Sequence, residues 1–252
     1  MPGVFKTSNP ALNANTFENR IAVEGETMTL HGTVTKTAFL LFCAAGSVAW
    51  TCALARTRPG VVALCLWGGL IGGLAFAVLT IFKKEWAPIT GPIYALCEGF
   101  ALGGISVVLN ETYPGIALQA LGLTGAVTVA MLLLYASGMV RATPKFALGV
   151  VAATGGIFLF YMIDLVMGFF GHHIPLLYSN GPWGIAISVF IVIVAALNLV
   201  LDFDFVETGV EEGAAKYMEW YGAFGIMVTL VWMYVEILHL LGEIRSQRES
   251  AT

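Results

Sequence analysis

The 252-residue sequence predicts an all-α fold, a polytopic membrane bundle of seven transmembrane helices. Three observations predict it. Hydrophobic residues make up 58% of the chain and charged residues only 11%, more apolar surface than a soluble domain of this size can bury. Seven apolar stretches reach the roughly 17 to 25 residues that a spanning helix needs. Turn chemistry separates them, at Arg58-Pro59-Gly60, Tyr113-Pro114-Gly115, Thr143-Pro144-Lys145 and Gly181-Pro182, where proline and glycine end a helix.

Residues 1–37 are polar and mixed in charge. The first apolar run starts too late for a secretory signal and carries no small-residue cleavage site, so this segment reads as a retained cytoplasmic tail. The spans follow at 38–55, 60–82, 91–109, 115–140, 146–170, 182–203 and 220–241. They form one membrane domain over 38–246 with a short C-terminal tail over 247–252, and Thr208 to Gly213 makes the turn between spans six and seven. Cys43, Cys52, Cys65 and Cys97 all fall inside spans without a C-x-x-C pair and read as small packing residues. Gly68, Gly69, Gly72 and Gly73 in span two, and Gly99 with Gly103 in span three, form small-xxx-small pairs that let helix backbones approach.

Lys6, Arg20, Lys36, Lys83, Lys84, Arg141, Lys145 and Lys216 lie on the side of the N-terminus, against Arg56, Arg58, Arg245 and Arg248 opposite. The positive-inside rule therefore puts the N-terminus in the cytoplasm and the C-terminus outside, across the cell (inner) membrane. The lipid bilayer is the expected partner. A net charge of −4 gives no footprint for nucleic acid.

Acids and bases are distributed differently. Glu98, Asp164 and Glu236 lie within spans three, five and seven, and Asp202 and Asp204 close span six, whereas all 12 basic residues fall outside these runs. A charge at bilayer depth costs roughly 2.5–3.5 kcal/mol on insertion scales unless it is neutralised or meets water or a partner. With no cation in the expected spans, these carboxylates are expected to bind protons, bind metal ions or line a wet cavity. At 1.5 Å per residue Glu98 is about 10 Å from the inner end of its span, and Asp164 and Glu236 are roughly 9 and 8 Å from the outer ends of theirs. The acids thus form a crude ladder, with Glu98 and Asp164 as path residues of a proton or cation route; the bland alternative is a set of separate protonated acids. The turn at Thr208 to Gly213 would set Asp202 opposite Glu219. Two carboxylates that close cannot both ionise freely and titrate as a unit, which makes a proton switch.

Enzymatic readings find little support. Glu236 and His239 make one Glu-x-x-His, but the second such pair of a di-iron site is missing. No His-Glu-x-x-His, no Gly-x-Ser-x-Gly elbow and no motif placing two acids as in an aspartyl protease is present. No enzyme activity and no cofactor are expected, with Ca2+ as the ion transported or bound. His172 and His173 before Pro175 read as solvated loop residues.

Several segments together resemble the Bax inhibitor-1 and YccA-like membrane proteins, in a bacterial branch with a longer N-terminal tail. They are Ser8-Asn9-Pro10-Ala11-Leu12-Asn13 with Thr16-Phe17-Glu18, Met28-Thr29-Leu30-His31-Gly32-Thr33-Val34, Glu98-Gly99 with Leu102-Gly103, and Ala152-Ala153-Thr154-Gly155-Gly156. Leu197-Asn198-Leu199-Val200-Leu201-Asp202-Phe203-Asp204-Phe205 and Tyr217-Met218-Glu219-Trp220-Tyr221-Gly222 complete them. The resemblance implies that the last helix is central, and that a pH-sensitive calcium leak is controlled by acids on helices six and seven. On that reading Asp202 is the helix-six acid and Glu236 the helix-seven acid, a pair that would hold Ca2+, with Glu219 and Asp204 as further gating candidates. No arginine occupies a span to latch the helix-six acid, so gating is expected to rest on carboxylates alone. Family members are also linked to cell-death suppression and to inhibition of a membrane AAA protease, so the alternative is a non-transporting regulatory partner of such a protease or a stress-response modulator.

Overall fold

A computed structural model of the chain describes residues 27–172, 174 and 181–250. The tail motifs at 8–18, Lys6, Arg20, His173 and Pro175 lie outside the described residues. Seven helices occur in order: α1 (Leu30–Ala55), α2 (Val61–Phe82), α3 (Ala87–Thr112), α4 (Ile116–Ala136), α5 (Pro144–Phe169), α6 (Pro182–Glu211) and α7 (Met218–Ser250). All seven are long and apolar enough to cross a membrane. The fold is thus the expected helical bundle, and among the described residues the one pairing of extended backbone is an isolated bridge between Thr27 and Ala215.

Local chemistry explains the starts. Thr29 and Thr143 sit in extended conformation, and their hydroxyls accept from the N–H of Gly32 and Phe146, which caps α1 and α5. Pro144 and Pro182 open α5 and α6, where the missing N–H costs no bond. Gly213, at φ 67°, supplies the left-handed residue after α6.

Several boundaries differ from expectation, α7 for instance running on to Ser250 from an expected end at 241, and two of them bear on the site. Helix α1 begins at Leu30, not at 38, because the Thr29 cap starts it within a polar stretch that composition assigns to the tail. Helix α6 runs on to Glu211, through the expected turn, and the chain reverses over 212–217 instead.

The sixth and seventh helices form the centre. Helix α7 packs against α1, α3, α4 and α6, while α2 lies on α3 and α5 on α6. Tyr221, Phe224, Met227, Met233 and Leu238 of α7 are fully buried. The exposed large hydrophobic side chains among the described residues lie outside α7, for example Phe42, Leu64, Leu118, Phe158 and, on the first half of α6, Phe190, as a lipid-facing surface requires.

Small residues set the helix spacing. A Cβ on Gly69 would stand 2.5 Å from the Cys97 carbonyl and the Ala101 nitrogen, and one on Gly103 would stand 2.8 Å from Thr51 Cβ. Gly69 therefore seats α2 on α3, and Gly103 seats α3 on α1, whereas a Cβ on Gly68 would meet nothing within 4 Å. Hydroxyls add cross-links, Thr80 donating to Thr90 at 2.7 Å between α2 and α3, and Ser106 lying 2.7 Å from the Tyr234 hydroxyl between α3 and α7. All four cysteines are free and partly buried.

Candidate functional site

The acids singled out by sequence fall into separate environments along the bundle. Asp202 of α6 is fully buried, and Asp204, two residues on, is partly buried. Asp204 lies on the α6 side that carries Glu207 and Glu211, near Tyr135 of α4, whose hydroxyl donates to Glu207. Toward the opposite end of the bundle, Glu236 is 4% exposed on α7. Its Oε1 accepts from the Tyr161 hydroxyl of α5 at 2.9 Å and from the indole N–H of Trp232, one turn back, at 3.0 Å. His239 and Glu243 continue that side of α7, Nε2 and Oε1 standing 4.0 Å apart.

Asp164 and Glu98 are spread more widely. Asp164 accepts from the backbone N–H of Ile174 at 2.8 Å and so holds the chain that leaves α5. Glu98, partly buried, lies on the α2 side of α3: a Cβ on Gly73 would come within 2.5 Å of its Oε1. That glycine leaves the room in which the carboxylate fits.

Glu219 has two cations beside it. Its Oε2 pairs with Lys36 of α1, its Oε1 stands 3.2 Å from the Lys216 ammonium, and the same Oε1 accepts from the N–H and hydroxyl of Thr29 at 2.9 and 2.7 Å. The longer α1 makes this contact. Since Lys36 belongs to a helix and not to the tail, the expectation that no basic residue enters a span is corrected here.

The shifted turn also changes which residues are level. Asp202 lies nine residues before the end of α6, and nine after Met218 comes Met227. In an antiparallel hairpin these two share a level, so Glu219 lies about 12 Å below Asp202 and Glu236 about 14 Å beyond it. Neither expected partner is level with Asp202. Ca2+ takes 6–8 oxygen ligands, and among the described residues no group of three or more His, Cys, Asp or Glu side chains is placed to hold a metal ion. By this register the carboxylates of α6 and α7 stand at successive depths along the bundle.

Sequence reasoning missed Tyr161, Trp232 and Lys36. Trp232 carries a local signal, four residues before Glu236 on the same helix face. Lys36 carries one through the Thr29 cap, which extends the helix over it. Tyr161 carries none, because its contact with Glu236 is made between helices distant in sequence.

A family model described as Bax inhibitor 1 like matches residues 9–246. No curated protein and no solved structure matches the chain.

Proposed function

Because the chain belongs to the Bax inhibitor-1-like family, we propose that it is a pH-modulated cation leak, with Ca2+ as cargo, in which carboxylates of α6 and α7 control passage. The observation that carries this reading is the burial of Asp202 and Glu236 in the two innermost helices of a membrane bundle. A buried carboxylate in such a setting is tolerated when protonated, or when water or a cation reaches it. Protonated, Glu236 rests against Tyr161 and Trp232 and the interior stays dry. Ionised, it keeps both donors, whose hydrogen bonds to a charged acceptor are the stronger kind, and its charge draws water and a cation toward the α5–α7 seam. Asp202 is a second such step about 14 Å away. The cargo meets these oxygens one after another, and weak multi-site binding of that kind is what permits exit as well as entry.

Flux should therefore rise as pH rises through the titration of these carboxylates. Calcium uptake by the purified protein in liposomes across a pH series tests this. Uptake that never exceeds that of protein-free liposomes at any pH would sink the proposal.

A further inference from the structure

The buried charge cluster at the start of α7 is not used by that reading. Glu219 is fully buried, paired with Lys36 and Lys216 and bonded twice by Thr29. Lys36 also lies over the Trp220 ring, 5.5 Å from its centroid. Gly32 completes the fit, because a Cβ there would overlap the Glu219 carboxylate. Beside it the Met28 N–H donates to the Ala214 carbonyl at 2.7 Å, and Thr27 bridges Ala215. The start of α1 is thus fastened to the α6–α7 turn.

Polar contacts share this fastening with the buried Met28 side chain. Between Leu30 and Phe39 the one buried side chain is Thr33, whereas Leu30 and Val34 are 57% and 58% exposed. Apolar packing holds α1 from Leu40 onward. Leaving α7 would cost the first turns of α1 the ion pair and the Thr29 bonds, together with the buried Met28 side chain just ahead of the helix and the edge-on contact of Phe39 with Trp220 at 5.8 Å. Removing Lys36 takes one of two cations from the buried Glu219 and leaves Lys216 beside it, and loss of a partner to a buried charge is strongly weakening.

We propose that Lys36, Glu219 and Lys216 form a latch that closes the amino-terminal end of the bundle, and that release of α1 from α7 there opens the passage for the cation. The latch rests on the transport reading above, but its existence has a readout of its own. Once released, Glu219 presents its carboxylate at the mouth with Lys216 as its remaining partner.

The test uses the full chain in liposomes, with the four native cysteines replaced by alanine and cysteines placed by Thr27→Cys and Ala215→Cys. In the latched state these two should form a disulfide readily. Lys36→Met should lower the rate of disulfide formation and raise calcium flux, each about tenfold, while Lys36→Arg should restore both. Closing the disulfide should abolish most of the flux, and a reductant should return it. A crosslinked protein that conducts as well as the reduced one overturns the gating role, and a Lys36→Met crosslinking rate equal to that of the parent overturns the latch itself. Flux absent from every variant, with the Lys36→Met effect on crosslinking intact, would instead overturn the transport reading and leave a latch without a channel.

Discussion

Substitution of Gly99 by alanine tests whether backbone contact between α1 and α3 sets the spacing of the bundle. The added methyl would overlap the Ala44 carbonyl and stand 2.7 Å from Ser47 Cβ and 2.8 Å from Ala44 Cα. Carbon atoms rest at about 3.5–4.0 Å, so α1 would have to retreat by roughly 1 Å. No rotamer change relieves this, since two of the three atoms met are backbone. Overpacking of this kind costs about 1–3 kcal/mol. Alanine also raises helix propensity over glycine by about 0.8–1 kcal/mol, which offsets part of the loss. Gly68→Ala removes that ambiguity, because the propensity gain is shared and nothing lies within 4 Å of a Cβ there. The Gly99 variant should therefore be less stable than the Gly68 variant by about 1–3 kcal/mol, measured as thermal or denaturant unfolding in one detergent. Equal stabilities would refute the reasoning, and would mean that α1 and α3 adjust freely around the small-residue seam.

Other expectations follow from the same geometry. Glu236→Gln keeps the shape and the acceptor for Tyr161 and Trp232 but cannot ionise, so it should fold and lose most of the pH dependence of calcium flux; a profile overlaying the parent would remove Glu236 from the sensor. Asp202→Asn, tested alongside, should flatten the profile less if the two acids act as independent steps, whereas identical losses would show that they titrate as one unit. Cysteines at Asp202 and Met227 should crosslink faster than cysteines at Asp202 paired with Glu219 or Glu236, and the reverse order would contradict the turn at 212–217. Ser106→Ala and Tyr234→Phe should each destabilise by about 0.6 kcal/mol, the average for interhelical hydrogen bonds in bilayers, and a double-mutant cycle should show them coupled. Reporter fusions at the two ends should report opposite compartments, and finding both on one side would take a span away.

Much of the architecture was legible in the sequence because a membrane enforces it: a spanning helix must be apolar for some twenty residues, and punctuation by proline and glycine is local. Boundaries were less legible where polar residues continue a helix beyond the lipid. The stretch from Leu30 to Thr37 looks like tail by composition yet is helical from its Thr29 cap, and Asp204, Glu207 and Glu211 look like the approach to a turn yet share one side of α6. Each misplaced boundary moved a partner. The late start of α1 hid Lys36 from Glu219, and the early end of α6 brought Asp202 level with Glu219 instead of Met227. The buried acids themselves were visible, since charge inside an apolar run stands out. Their partners were not, because Tyr161 meets Glu236, and Lys36 meets Glu219, only when helices far apart in sequence pack together.

The last helix has 33 residues, about 50 Å at 1.5 Å per residue, against a hydrocarbon layer of about 30 Å. It is tethered at each extremity to a different neighbour. Glu219 ties one end to α1, while Arg245 donates at 2.9 Å to the Pro114 carbonyl in the α3–α4 connection and to the Gln119 side chain of α4. A rod fixed at both tips cannot slide along its own axis like a piston without breaking both tethers together. Releasing the Glu219 tether leaves that end of α7 still seated by Met218, Tyr221 and Phe224, all fully buried, so the element set free is the start of α1 while α7 stays in place as the post from which it swings.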